Sequence, residues 1–398
     1  MHKIIAVNAG SSSLKFKLYD MPSETLICSG MADRIGQAQG TFSLTIGQEK
    51  FSMDTPIPNH QAGVKLLIQN LLDKKVIQSF EEIKGVGHRV VQGGKYFFDS
   101  VIINDDVVAK VKEFIPLAPL HNGPNLSGIE AFQAILPKVK NVAVFDTAFH
   151  QTMVPQDFLF PIPYELYEKY DLRRYGFHGT SHKYLSLQVK QHFTLKANPN
   201  IITIHLGSGA SLAAIKNGKV VATSMGLTPL GGIMMGTRTG DIDPSVLHFA
   251  ALKTGQTHEQ IYELFNKKSG LLGLSKLSSD SRDLEAAHLK GDPQVQLANQ
   301  LFVRRIADFI GQYHVRLGGA ELLVFSAGIG ENSGFYRHLI LEEVKDALGI
   351  VEDTVVNQAT RGKIALITKP ESKVAAMVIP TNEELMIVKD TYALIEKS

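Results

Sequence analysis

With a single cysteine, Cys28, the chain of 398 residues can form no internal disulfide and has no thiolate set for zinc. Cys28 reads as a small core residue, and a reducing cytoplasm is the expected compartment. Charge imbalance is nearly absent: 41 Lys and Arg against 39 Asp and Glu leave a formal net charge of +2. No nucleic-acid surface is expected, because that needs a basic stripe. No apolar run approaches the ~18 residues of a membrane span. A strand pattern already beginning at Ile4 leaves no room for a secretory leader ahead of it, so neither secretion nor membrane insertion is expected. Low-complexity segments are lacking, and 44% hydrophobic with 20% charged residues is ordinary globular composition. Two nucleotide signatures are missing as well. No stretch matches G-x-x-x-x-G-K-[ST], and Gly328-Ile329-Gly330 has no glycine three positions on.

What is present is a repeat. The opening Ile4-Ile5-Ala6-Val7-Asn8-Ala9-Gly10-Ser11-Ser12-Ser13-Leu14-Lys15-Phe16 recurs in outline as Ile201-Ile202-Thr203-Ile204-His205-Leu206-Gly207-Ser208-Gly209-Ala210-Ser211-Leu212. Each copy is an apolar strand, a Gly/Ser turn and a second strand. The length suits two or three domains, and the repeat favours two like-folded halves. A turn of small residues leaves backbone N–H groups uncovered for phosphate oxygens. One such turn from each half would place a nucleotide in the cleft between them.

Hydrophobic spacing fills in the halves. Strands are expected over 3–8, 16–19, 85–91 and 142–146, with helices over 61–72 and 126–135, an α/β half ending near residue 150. Pro155, Pro161 and Pro163 mark a crossing without clear period. The second half repeats the theme, with strands over 201–205, 212–215, 220–224 and 322–326 and helices over 260–265 and 294–315. The tail over 383–396 has helical spacing and could pack back on the first half. The expected domains are residues 1–150 completed by a C-terminal helix over 384–398, and residues 151–383.

Three glycine-rich segments gather in the second half: 205–209, 231–243 and 327–332. The last follows the apolar strand Leu322-Leu323-Val324-Phe325 and precedes a helical pattern, an order that points helix N–H groups at an anion. Taken singly, each reads equally as a plain turn. Arg238, among small and flexible residues, is either a salt-bridged surface arginine or a planar fork offered to a phosphoryl group or carboxylate. Arg89 lies in the apolar run Val86-Gly87-His88-Arg89-Val90-Val91, where a charge must be paired or functional. Asp146 ends an apolar strand and is either a ligand-facing carboxylate or a helix cap. His178 and His121 are either core histidines or functional ones.

Taken together, the segments are specific. Asn8-Ala9-Gly10-Ser11-Ser12-Ser13-Leu14-Lys15-Phe16, His88-Arg89-Val90-Val91, Phe145-Asp146-Thr147-Ala148-Phe149-His150, Tyr175-Gly176-Phe177-His178-Gly179-Thr180-Ser181-His182, Met235-Gly236-Thr237-Arg238-Thr239-Gly240-Asp241 and Pro380-Thr381-Asn382-Glu383-Glu384-Leu385 stand in one order along the chain. In that order the whole sequence resembles the acetate kinase family of short-chain carboxylic acid kinases. The resemblance implies two duplicated actin-like, sugar-kinase-like (ribonuclease H-like) α/β domains, a homodimer, and reversible Mg²⁺-dependent phosphoryl transfer from ATP to acetate, giving acetyl phosphate and ADP. Mn²⁺ could replace Mg²⁺.

By the same resemblance Asn8 and Glu383, with Glu384 beside it, would serve the metal. Arg89 and Arg238 would hold the carboxylate and the phosphoryl group, His178 would donate to the transferring group, and Asp146 would be the active-site carboxylate. Lys15, His205, Leu206, Gly207, Ser208, Gly209, Asp280, Ser281, Arg282, Gly328, Ile329, Gly330, Glu331 and Asn332 would contact the nucleotide. Val91, Leu120, Phe177 and Pro229 would line the pocket for the alkyl end. Ser208 stands where the family usually has Asn, and Gln92 and Lys95 stand where it usually has His and Glu.

The chemistry suits these residue types. A carboxylic acid is already ionised at neutral pH, so the nucleophile needs no general base. The obstacle is repulsion: two unit charges ~4 Å apart at an effective dielectric of ~20 repel by about 4 kcal/mol. Cationic side chains and a dication answer it. Propionate or another short-chain acid is the alternative substrate. Sugar or glycerol kinases and an ATP-switched binding protein of the actin or Hsp70 type are the more distant readings, and of these the sugar kinase would need Asp146 as a base.

Overall fold

The structure is a computed structural model that describes residues 2–193 and 198–397. Met1 and Ser398, which open and close the expected first domain, lie outside the described residues. The chain divides into two units, Met1–Phe149 with Asn382–Ser398, and His150–Thr381.

The first unit holds an eight-stranded sheet of β1 (His2–Ala9), β2 (Ser13–Met21), β3 (Thr25–Asp33), β4 (Gly40–Ile46), β5 (Glu49–Thr55), β6 (Ile83–Val90), β7 (Val101–Ile102) and β8 (Lys140–Phe145), in the order β5-β4-β3-β2-β1-β6-β8-β7. β1 pairs antiparallel with β2 and parallel with β6, and β6 is parallel to β8. Helices His60–Asp73 and Asn122–Ile135 bring Val64, Leu67, Leu71 and Phe132 into a core with Ile5, Val7 and Leu14 of the sheet. The C-terminal helix Glu383–Ile395 packs Ile387 and Val388 with Ile4, Ala6, Val142 and Val144. Odd and even positions of β1 therefore enter different cores, as a period of two requires.

The second unit holds β9 (Ile201–Leu206), β10 (Ala210–Lys216), β11 (Lys219–Thr223), β12 (Leu322–Ser326), β13 (Ala365–Leu366) and β14 (Ala375–Val378), in the order β11-β10-β9-β12-β14-β13. Here β9 pairs antiparallel with β10 and parallel with β12, and β12 is parallel to β14. The five strands β3-β2-β1-β6-β8 and β11-β10-β9-β12-β14 thus share order and direction. This is the duplicated actin-like α/β fold that the resemblance implies, and its matching halves agree with the repeat.

Sequence patterning finds the central strands and the helices near 61–72, 294–315 and the tail. It misses β3 to β5, whose alternation is half polar, and the helices Gly179–His192 and Gly334–Leu348. The proline-rich crossing contains the short helices Pro155–Phe158 and Tyr164–Tyr170. Among the described residues no helix is long and apolar enough to cross a membrane.

Candidate active site

In the first unit the parallel strands β1, β6 and β8 end on one edge of the sheet, the edge where open α/β sheets bind ligands. Asn8 is the penultimate residue of β1, Arg89 that of β6, and Asp146 follows β8 with its N–H bonded to the Val90 carbonyl at 2.9 Å. Arg89 grips Asp146 as a fork: Nε donates to Oδ1 at 3.0 Å and Nη2 to Oδ2 at 2.6 Å. Asp146 is 1% exposed, so its carboxylate is met by the guanidinium and not by solvent. Burial opposes the charge on Arg89, but Asp146, with Glu383 and Glu384 behind it, outweighs burial and holds the guanidinium above its ordinary value.

The C-terminal helix brings those glutamates. Gly85 and Gly87 share a face of β6 with Arg89, and a Cβ at Gly85 would lie 3.0 Å from Thr391 Cγ2. Without side chains there, the helix lies directly on the strand. Asn382 caps it, accepting from the Leu385 N–H at 3.1 Å, and Glu383 is its first residue. The Glu383 carboxyl is pushed up to about 7 by burial, with Asp146 and Glu384 adding to the rise and Arg89 and Lys17 opposing it. Lys17 pairs with Glu384 at 3.1 Å. Asn8 and Glu383 both offer oxygen donors, and a carboxylate crowded by two others fits a hard dication.

Val91 is buried and donates its N–H to Asn125 Oδ1 at 3.1 Å, whereas Leu120 is 56% exposed. Gln92 is buried within the turn it helps build. Its Oε1 accepts from Gly94 N at 2.9 Å, and its backbone exchanges bonds with the Asn122 amide. Lys95 is exposed, with Nζ 5.6 Å above the Tyr96 ring. Lys15 is exposed on β2, opposite Asn8.

In the second unit the glycine turns close on one another. Gly207 donates its N–H to the Gly209 carbonyl at 3.1 Å, between β9 and β10. Gly236 N–H donates to the Ser208 carbonyl at 3.3 Å, so the arginine loop is tied to that turn. A Cβ on Gly207 would lie 3.8 Å from the Ala327 methyl, and one on Gly236 3.6 Å from Ser279 Cβ. Segments 205–209, 236–238, 279–282 and 327–332 are therefore neighbours. Gly270, at φ +61, lies under the arginine loop: a Cβ would come 2.8 Å from the Arg238 carbonyl.

Arg238 is partly buried and donates through Nη1 to the Pro229 carbonyl at 3.2 Å and to Met235 Sδ at 3.7 Å. Among the described residues no carboxylate pairs with it, which removes the surface salt-bridge reading. Burial lowers its basicity, with Tyr262 opposing. A Cβ on Gly209 would touch both Arg238 Nη1, at 3.3 Å, and His178 Nε2, at 3.5 Å, so the guanidinium and the imidazole meet over this turn. His178 stacks on His205 with centroids 4.2 Å apart. It has a left-handed φ of +56 immediately before helix Gly179–His192, a conformation that costs a non-glycine residue about 1–3 kcal/mol. Phe177 is buried behind it.

Asp280 caps helix Ser281–Leu289 and grips Arg282 at 2.6 Å. Gly328 is exposed with open space at its Cβ position. Glu331 points back: Oε1 accepts from Ala327 N at 2.7 Å and Thr381 N at 2.9 Å, so its carboxylate ties the ends of β12 and β14 together. Sequence reasoning overlooks His182, Ser211 and Thr203, which are hydrogen-bonded behind His178. Thr203 and Ser211 sit in ordinary strand alternation, and only the spacing of His178 and His182 on one helix turn hints at a link.

Paired α/β units of matching topology, one with an arginine–carboxylate fork at its strand ends and the other with glycine turns around a guanidinium, define an actin-like phosphotransferase. The family model described as the acetokinase family matches residues 3–389. The chain belongs to that family. It is 49% identical to the acetate kinase of Anoxybacillus flavithermus, with 99% of each chain covered. The crystal structure of Porphyromonas gingivalis acetate kinase superposes with a TM-score of 0.94 at 44% identity, covering 99% of this chain and 100% of that one. A propionate kinase from Francisella tularensis gives a TM-score of 0.93 at 38% identity, again over 99% and 100%.

Proposed function

We propose that the chain transfers the γ-phosphoryl group of ATP to acetate, reversibly and in line, giving acetyl phosphate and ADP. Arg238 carries the reading: a guanidinium drawn partly out of water, with no carboxylate among the described residues to balance it, beside an imidazole and a glycine turn open to phosphate oxygens. Such a charge is completed by an anionic ligand.

In this reading Arg89, oriented by Asp146 through Nε and Nη2, presents Nη1 to the acid's carboxylate. Asp146 is an orienter, since acetate brings no proton to remove. Arg238 and His178 hold the equatorial oxygens of the phosphoryl group as charge spreads over them. The nucleotide lies against the turns at 205–209, 280–282 and 328–332, and Lys15 is the further nucleotide contact of this reading. Val91, Leu120, Phe177 and Pro229 meet the alkyl end. Asn8 and Glu383 would hold Mg²⁺, which when bound neutralises charge on the phosphate oxygens. The two units serve as the two functional domains, and the enzyme works as a cytoplasmic homodimer.

The likeness to a propionate kinase supports a second substrate, so acetate is preferred and propionate accepted more weakly. The test is a hydroxamate assay of acyl phosphate with ATP, Mg²⁺ and each of acetate, propionate and butyrate. Turnover with none of them, or fastest with butyrate, would overturn the assignment.

A further inference from the structure

Two central strands of the first unit part before they end. β1 runs to Ala9 and β6 to Val90, yet the two pair with each other only through Val7 opposite His88. On its other side β6 stays paired with β8 through Val90 opposite Phe145, so β1 and β6 separate just where they carry Asn8 and Arg89.

A buried side-chain amide fills the parting. Asn125, in helix Asn122–Ile135, accepts from the Val91 N–H through Oδ1 at 3.1 Å and donates through Nδ2 to the Ala9 carbonyl at 2.8 Å. A backbone N–H can only donate and a carbonyl can only accept, so the amide has one possible orientation. Asn122, about one helical turn earlier, holds the next residue in the same way: Oδ1 accepts from Gln92 N at 3.0 Å and Nδ2 donates to the Gln92 carbonyl at 2.9 Å. Asn122 is 0% and Asn125 3% exposed, so water does not compete for these bonds. The helix comes this close because Gly128 has no side chain; a Cβ there would lie 2.7 Å from the Ala9 methyl.

The amides act from behind the site. Ile5 and Val7 share the core of this helix, whereas Ile4 and Ala6 share that of the C-terminal helix, so alternation puts Asn8 on the opposite face of the sheet from Asn125. Arg89 joins Asn8 there, on the face of Gly85 and Gly87.

We infer that Asn125 is a positioning residue, a spacer that holds the ends of β1 and β6 one amide apart and so sets the separation of Asn8 from Arg89. In the proposed reaction this is the separation of the metal ligand from the arginine that receives the acid, so the inference rests on that reading for its purpose but not for its geometry. Without the amide, the Ala9 carbonyl and the Val91 N–H would be buried unpaired, and bonding directly to each other would satisfy both.

The test compares crystal structures and kinetics of the full chain. In Asn125→Ala the Ala9 carbonyl oxygen and the Val91 nitrogen should draw together toward a direct bond of about 2.9 Å, narrowing the gap between the Asn8 and Arg89 Cα atoms. With Arg89 misplaced by that shift, kcat should fall about 100-fold. KM for ATP should stay near the wild-type value, because the turns of the second unit are untouched. Asn125→Ser, whose hydroxyl can still meet one of the two partners, should narrow the gap less and lose less kcat, and it carries the test if Asn125→Ala does not fold. A merely structural role would lower the urea midpoint and leave the gap as in wild type. That unchanged gap, or a narrowed gap with wild-type kcat, overturns the inference. A narrowed gap in a protein whose wild type makes no acyl phosphate would instead sink only the proposed function.

Discussion

Gly87 lies beneath Ile387: a Cβ on the glycine would stand 2.6 Å from Ile387 Cγ2, and it would also strike Thr391 Oγ1. The C-terminal helix can carry Glu383 to the end of β6 only because Gly85 and Gly87 have no side chains. Gly87→Ala should therefore cost about 1–3 kcal/mol by overpacking, read as a lowered urea midpoint, and should weaken activation by Mg²⁺. Unchanged stability would mean the helix is not seated on this strand.

The two arginines should differ in what their loss does to the fold. Arg89→Ala strands Asp146 as a buried carboxylate without its partner, a change that costs about 3–5 kcal/mol, and it should abolish acyl phosphate formation. Arg238→Ala removes a charge already short of partners, so activity should fall steeply with thermal stability almost unmoved. Equal losses of stability in the two variants would contradict the difference in pairing.

His88 is 2% exposed and bonded through Nε2 to Asn141 Oδ1 at 2.8 Å. Burial lowers its pKa to about 4, with Asn141 opposing. The unfolded chain, titrating near ~6.5, binds this proton more readily than the folded one. The contribution of neutral His88 to stability is thus full above pH ~6.5 and is lost as pH falls toward 4, by about 3 kcal/mol in all. Unfolding free energies measured between pH 7 and 4 should decline less steeply in His88→Gln than in wild type. Parallel curves would remove His88 from the acid response.

Val91 sets the room for the acid's alkyl group in the proposed reading. Val91→Ala should shift preference from acetate toward propionate by about 10-fold or more in kcat/KM ratio, the scale of one methylene in an apolar pocket. A ratio that does not move would place the alkyl end elsewhere.

Much of this was legible in the residues. The glycine and serine turns stood out because the strand–turn–strand pattern recurs in both halves, though each alone reads as a plain turn, and Arg89 stood out as a charge inside an apolar strand. Alternation could not reveal β3 to β5, because strands with one wet face look like loops. Nor could it show that Glu331 bends its carboxylate inward to backbone N–H groups, or that Gln92 is spent on holding its own turn. Those roles depend on partners up to 50 positions away in the chain.

Local order along the chain, then, was enough to show the duplicated architecture, because apolar periodicity and turn chemistry act over a few residues, and the order of the motifs carried the resemblance to a family. Which of the charged side chains are neutralised was decided only on folding. The sheet register sets Asp146 against Arg89, the absence of two Cβ atoms admits the last helix, and no carboxylate reaches Arg238 among the described residues. Electrostatics and close packing depend on distance in space, and spacing in sequence does not encode it.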